Sequence, residues 1–198
     1  MFLGLLFFML KIVHLTTVHR RDDVRIVFKE CETLASIYPE TSLVVFDGLG
    51  SSFNGNINVD DLGSPARNRI KRMVIGFKKV LQSRSVADAD VVHFHDPELL
   101  IVGLILKLRG KKVIYDVHED VPRQIANKHW IPPLLRGLIA GGVEFVEMLV
   151  ARRIDGVVAA TPLIADRFLC VNSKTTIVRN FPLLGEFLGI PLDKPDSR

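Results

Sequence analysis

Thiols and large polar aromatics are scarce in this chain. Its 198 residues include two cysteines, one tryptophan and two tyrosines. Cys31 and Cys170 stand far apart and form no CxxC pair, which excludes a disulfide framework and a thiolate zinc site. Both read as buried free thiols in a reducing compartment. Also missing are GxGxxG, a P-loop and GxSxG, so neither a dinucleotide fingerprint, a phosphate-cradling loop nor a serine-hydrolase elbow is present. No apolar run approaches the roughly 20 residues that cross a bilayer. The longest, "MFLGLLFFML", lacks a basic leader and a small-residue cleavage site, and reads as an N-terminal extension (1–10) preceding the folded domain.

What is present is a globular composition, 48% hydrophobic and 24% charged, with a net charge of +4. Short β-branched runs alternate with helical periodicities. Strands are expected at Lys11–Thr17, "SLVVFDG", weakly at Ile57–Val59, then "ADVVHFH", "KKVIYDVH", "GVVAAT" and "TTIVRNF". Helices are expected at Asp23–Tyr38, Pro65–Gln82, from Pro97 to Gly110, in two pieces broken by "IPP", and at Pro162–Phe168. Alternation of this kind predicts a Rossmann-like, doubly wound parallel α/β sheet with helices on both faces. In such sheets ligands bind beyond the C-terminal strand ends.

That rule collects three clusters on one rim: "TTVHRRDD" (Thr16–Asp23), His95 with Asp96, and His118 with Glu119. Three histidines and five carboxylates fall between His93 and Asp120. A metal site is not expected. His93 and His95 share a strand face, but zinc needs three or four ligands and no third is evident; His93 reads as a core residue. His118 at a strand tip could move a proton or cap the next helix. Glu119 and Asp120 suit a helix N-terminus without further purpose. Arg20 and Arg21 could hold an anion before a helix, or form a solvated loop.

The helix from Arg67 to Arg84 carries seven basic residues and no acid before Arg84. It is either a core helix with a solvated back or a face for anionic membrane. Nucleic acid is not an expected partner, since exposed aromatics do not interleave the charges. "LLRGLIAGGVEFVEMLVARR" reads as a core helix whose Glu144 and Glu147 need partners or solvent.

Four segments, "KIVHLTTVHRRDDVRI", "DVVHFHDPELL", "KVIYDVHEDVPRQI" and "GVVAATPLIADRF…TTIVRNFP", occur in an order that resembles the N-terminal domain of family 4 glycosyltransferases of the GT-B fold. The likeness is greatest to bacterial enzymes of surface-polysaccharide assembly. It implies an acceptor-side domain at 11–180 and the start of an interdomain linker at 181–198. It also implies retaining transfer from a nucleotide sugar, with no cofactor and no metal. By this resemblance His118 reaches the transferred sugar and the strand-one loop, with Thr17, His19, Arg20 and Arg21, lies near the donor diphosphate; these four, with His95, Asp96 and Glu119 from their place on the rim, are the substrate-binding candidates. Many members have a Gly-Gly pair in the strand-one loop where this chain has "HRRDD", so Arg20 or Arg21 would take over phosphate contact or meet the acceptor instead.

The family's second domain, with its paired glutamates, has no counterpart in the sequence. The expectation is therefore an acceptor-binding half that is inactive alone: a truncated frame, an excised domain or one subunit of a split enzyme. Expected partners are a sugar or lipid-linked acceptor and a separate C-terminal domain chain. The expected location is the cytoplasm, with a peripheral position on the inner membrane face as an extension of it. The alternative is a non-catalytic module of the same fold that binds a sugar or a lipid-linked acceptor.

Overall fold

The computed structural model describes residues 10–64 and 68–182. The apolar extension up to residue 9, the first turn expected for the basic helix (65–67, including Arg67) and the linker from 183 onward lie outside the described residues.

Eight strands form one sheet in the order β3-β4-β2-β1-β5-β6-β7-β8. They are β1 (Ile12–Leu15), β2 (Thr41–Val45), β3 (Ser52–Asn54), β4 (Ile57–Asp61), β5 (Val91–Phe94), β6 (Lys112–Val117), β7 (Gly156–Ala159) and β8 (Thr175–Ile177). Every neighbouring pair is parallel except β3 with β4. The chain runs outward from β1 to β4, then returns to lay β5 on the other side of β1. The order therefore reverses between β1 and β5, the position where parallel α/β sheets open a ligand crevice.

The helical elements are α1 (Val24–Cys31), α2 (Glu32–Ala35), α3 (Arg69–Gln82), α4 (Arg84–Asp88), α5 (Leu100–Leu108), α6 (Val121–Ala126), α7 (Pro133–Ala151) and α8 (Pro162–Leu169). A 3₁₀ turn, Pro97–Leu99, leads into α5, with Pro97 in the first turn where its missing N–H costs no bond. The doubly wound α/β fold expected from the sequence is the one observed. The hairpin strand β3 and the short helix α4 are additions to it. Ser83 caps α4, its hydroxyl accepting from Val86 N–H.

Alternate side chains of the strands enter two cores. Val13, Leu15, Val44, Val92, Phe94, Val113 and Tyr115 face α5, α7 and α8 across one large cluster. Leu43, Val45, Ile57 and Val59 pack with Ile26, Val27, Cys31 and Ala35 of α1 and α2 on the other face. Helix α1 is wound as a π-helix. Arg25 and Glu30, five residues apart, would be turned about 140° from each other in an α-helix. The π winding, with its i→i+5 pattern, brings them over one another, and Arg25 Nε lies 3.1 Å from Glu30 Oε1.

Two local expectations need correction. Cys31 is buried, but Cys170 is exposed, because it follows the last turn of α8 at the surface. Helix α7 is not enclosed in the core: Leu134, Leu138 and Phe145 are 80%, 70% and 68% exposed. Its glutamates do find partners. Glu147 is buried and accepts from Arg167 Nη2 at 2.8 Å and Tyr115 Oη at 3.2 Å, while Glu144 accepts from Arg123 Nη1 at 2.9 Å. No helix among the described residues is long and apolar enough to cross a membrane.

Candidate active site

A cleft of about 320 Å³ opens at the C-terminal ends of β1, β5 and β6. His19, His95, Asp96, His118 and Glu119 all line it, with Arg72, Glu98, Gln124 and Lys128. Sequence reasoning had placed the first five there from strand ends alone. It missed Glu98, Gln124 and Lys128 as lining residues and placed Arg72 only on the basic helix. The turn after β5 turns Glu98 toward α3, where it accepts from Arg72 Nε at 3.2 Å and Nη2 at 3.0 Å. That fork neutralises the most intimate cation of the basic helix.

The buried carboxylate of Asp96 organises the loop after β1. Its Oδ2 accepts from Thr16 Oγ1 at 2.9 Å, Thr17 N at 2.6 Å and Val18 N at 3.2 Å. His19 N–H in turn donates to Thr16 Oγ1 at 3.0 Å. The backbone donors of Thr17, Val18 and His19 are thus turned inward and already bonded, in the segment where the sequence lacks the Gly-Gly pair. Thr17 itself lies beneath the cleft, its hydroxyl donating to Glu98 Oε1 at 2.7 Å.

The two arginines of "HRRDD" stay outside the cleft lining. Arg21 grips Asp47 through two bonds of 2.6 Å and also donates to Ser52 Oγ and Gly50 O at 2.8 and 2.9 Å. All of its guanidinium nitrogens are occupied in fastening the loop to the β2–β3 turn. Arg20 projects outward, 75% exposed at the side chain, and pairs with Asp22 at 3.0 Å.

Asp116, fully buried on β6, is the electrostatic centre. It accepts from Arg25 Nη2 at 2.8 Å and Nε at 3.1 Å, meets His95 Nδ1 at 3.1 Å and meets His118 Nδ1 at 3.4 Å. Burial alone would raise its pKa, but the bonds from His118, His95 and Arg25 outweigh burial and hold it well below the usual carboxylate range. His118 is affected in the opposite sense. Burial disfavours its cation, yet the bond to Asp116 and the charge of Asp116 prevail, so its pKa is raised.

His118 Nε2 and His19 Nε2 face each other at 3.2 Å, while the two Nδ1 atoms are directed at Asp116 and at Asp23 Oδ2, 3.2 Å from His19. His19 Nε2 also lies 3.5 Å from Asp96 Oδ1. The cleft therefore presents a histidine whose cationic form is favoured by a buried aspartate.

A parallel α/β sheet with its polar cleft at the β1/β5 reversal, bearing an aspartate-held histidine, defines a Rossmann-like domain with a ligand crevice at its topological switch point. Residues 40–180 match the glycosyl transferase 4-like domain family, and the chain belongs to it. Among solved structures it is similar to sucrose-phosphate synthase from Thermosynechococcus elongatus, at TM-score 0.63 and 10% identity over 86% of this chain and 48% of that one. A second structure of that synthase, from the same organism, aligns at TM-score 0.59 and 12% identity over 90% of this chain and 92% of the other. The chain thus spans about half the length of the first synthase chain. No curated protein sequence matches it.

Proposed function

We propose that this chain is the acceptor-side half of a retaining glycosyltransferase that uses a nucleotide sugar, and that it is inactive until a donor-binding domain faces its cleft. The observation that carries this reading is His118: a partly buried histidine at the β6 tip, held by Asp116, which favours its cationic form, and lining the cleft. Its favoured positive charge suits the negative charge that develops on the leaving phosphate as the glycosidic bond breaks, and donation to a sugar hydroxyl would replace the Nε2 contact with His19. Glu98, Glu119 and Gln124 add the acceptors and donors that hydroxyl recognition requires. The loop after β1 has no free amide at Thr17, Val18 or His19, and Arg21 is engaged elsewhere. These engaged groups support a reading in which diphosphate stabilisation comes chiefly from a second domain, and with it the proposed inactivity alone.

Surface polysaccharide or glycolipid assembly is the setting we favour, with a sugar or lipid-linked sugar as acceptor. In α3, Met73, Val74 and Ile75 are 41%, 53% and 41% exposed beside Lys71 and Lys78. Trp130 and Leu134 are exposed just beyond Lys128 on the cleft rim. Apolar side chains among cations suit an anionic membrane surface from which a lipid-linked acceptor would be drawn. Absence of binding to anionic vesicles at low salt would remove this part of the reading.

The decisive experiment measures hydrolysis and transfer of UDP-sugars by the chain alone and with a nucleotide-sugar-binding domain added. Expected is turnover only in the second case. Within the complete enzyme, His118→Ala should lower transfer at least ~10²-fold while leaving the thermal unfolding curve near that of the parent. Robust turnover by the isolated chain would refute the first statement, and near-normal transfer by the variant would return His118 to a helix-capping role.

A further inference from the structure

Beneath the cleft floor, three side chains converge that the transfer chemistry leaves unused. His14 on β1 and His93 on β5 are register partners on one sheet face. Their exposures are 0% and 6%, and their rings lie 4.7 Å apart. Glu30 reaches over them from α1 with its side chain 10% exposed. The Nε2 atoms of His14 and His93 and Oε2 of Glu30 are buried without a hydrogen-bond partner, while Glu30 Oε1 lies 3.1 Å from Arg25 Nε. Three unpaired polar atoms in one cluster are costly unless something joins them.

Their protonation states suit a ligand. Asp116 requires hydrogen on His95 Nδ1, leaving His95 Nε2 to accept from His14 Nδ1 at 3.0 Å. His14 Nε2 is then a lone pair, buried without a partner. Desolvation keeps both rings neutral, with His14 lowered well below 6.5 and His93 lowered to about 3. The chain Asp116–His95–His14 has the form of the carboxylate–histidine support that orients metal ligands. One ligand atom from each of His14, Glu30, His93 and His95 lies within 4.8 Å of the others. A tetrahedral zinc site has ligand–ligand edges of about 3.3 Å, so closure needs less than about 1 Å of movement per side chain.

We propose that His14, His93 and Glu30 form a buried site for a divalent transition-metal ion of the zinc class, structural in role, pinning the π-wound helix α1 to β1 and β5. It lies below the transfer site, takes no part in transfer and does not depend on the reading of that site. The expectation of no metal ligands came from His93 and His95 considered alone. The missing ligands come from another strand and a helix. His95 serves as the support, and its ring also lines the cleft, so entry is from there.

The test uses the chelator-dialysed full chain titrated with Zn²⁺ and Co²⁺, followed by calorimetry, Co²⁺ visible absorption and thermal unfolding. Expected are one equivalent per chain, a Co²⁺ spectrum of four- or five-coordinate nitrogen/oxygen ligation, and a Tm rise of about 5–10 °C at a hundredfold excess over Kd. Glu30→Gln, isosteric with the protonated acid, and His93→Gln should each weaken binding at least tenfold, and His118→Ala by less than twofold. Should His93→Gln fail to fold, Glu30→Gln decides alone. No binding, or binding indifferent to Glu30→Gln, overturns the proposal. Loss of binding in His118→Ala also overturns it, by placing the ion on the other nearby group, His95, Asp116 and His118.

Discussion

Replacing Asp116 by asparagine in metal-free protein tests the electrostatics of the whole site. The substitution keeps the shape and removes the charge. Arg25, 6% exposed, then loses its bidentate partner. Breaking a buried ion pair in this way costs about 3–5 kcal/mol. Here a second carboxyl stands ready. Glu30 lies 3.1 Å from Arg25 Nε, and burial, then the charge of Asp116, keep it protonated up to about 9. With Asp116 neutral, Glu30 can ionise and take over Arg25, recovering roughly half the loss. The expected cost of Asp116→Asn is therefore about 2–3 kcal/mol. Glu30→Gln alone should cost under about 1 kcal/mol, since glutamine resembles the protonated acid. Together they should cost about 4–5 kcal/mol, more than the sum of the singles, because nothing then answers Arg25. Urea denaturation of the four proteins in chelator reads these values. Strict additivity, or an Asp116→Asn protein as stable as the parent, would refute the compensation between the two carboxyls.

The pH dependence carries the same logic. His118 has a raised folded pKa, so its stabilisation is complete below about 6.5 and is lost as pH rises through the folded value. Glu30, also raised, adds a decline between its unfolded value of 4.5 and about 9, because the unfolded chain releases that proton first. Tm should fall from pH 5 to 9 in chelator, with a shallower slope in Glu30→Gln; an unchanged slope would count against its burial as a neutral acid. Arg21→Ala should cost about 1–2 kcal/mol in denaturation by freeing Asp47, intermediate between exposed and buried pairs. It should leave nucleotide-sugar binding by the completed enzyme within twofold, whereas a tenfold loss would restore Arg21 as an anion ligand. Gly103→Ala places a methyl 2.6 Å from Phe94 Cε1 in the main core. About 1–3 kcal/mol of overpacking should follow, lowering Tm by several degrees, and a Tm at or above the parent's would show that Phe94 can move aside.

Strand–helix alternation and the rule for strand ends sufficed to bring His19, His95, Asp96, His118 and Glu119 to one rim. Both signals are local, carried by β-branched runs and by Pro and Gly at element ends. The hairpin strand β3 was hidden because "SFN" has no apolar alternation and is exposed, pairing only along its backbone with β4. Helix α7 was misread because an apolar helix looks the same whether its outer face meets protein or not. The inward turn of the β1 loop was also illegible. It depends on Asp96 arriving from a strand 79 residues later in the chain. The sequence shows an aspartate after a strand, but not that the backbone donors of Thr17 and Val18 will use it up.

The sheet's two faces explain why the site's charge is controlled from a distance. Along β5 and β6, Phe94 and Tyr115 enter the apolar core, while His93, His95 and Asp116 enter a polar layer beneath α1. Apolar residues in that layer would pack well, and buried ion pairs are often replaceable without loss of stability. The layer therefore carries consequences beyond holding the fold together. His118, His95 and Arg25 together favour Asp116 as an anion, Asp116 favours His118 as a cation, and the π winding of α1 brings Glu30 to Arg25 as a second carboxyl. Arg25 is reached from the start of α1 and, through Nη1, also donates to Val178 O at 3.0 Å, where the chain leaves β8. A shift in that segment would move Arg25, and through Asp116 would alter the proton affinity of His118 without touching the cleft wall. In the complete enzyme proposed above, Arg25→Lys, which cannot reproduce the bidentate grip, should accordingly shift the pH profile of transfer more than it changes the apparent affinity for acceptor. An acceptor-affinity defect with an unchanged pH profile would break this chain of control at Asp116.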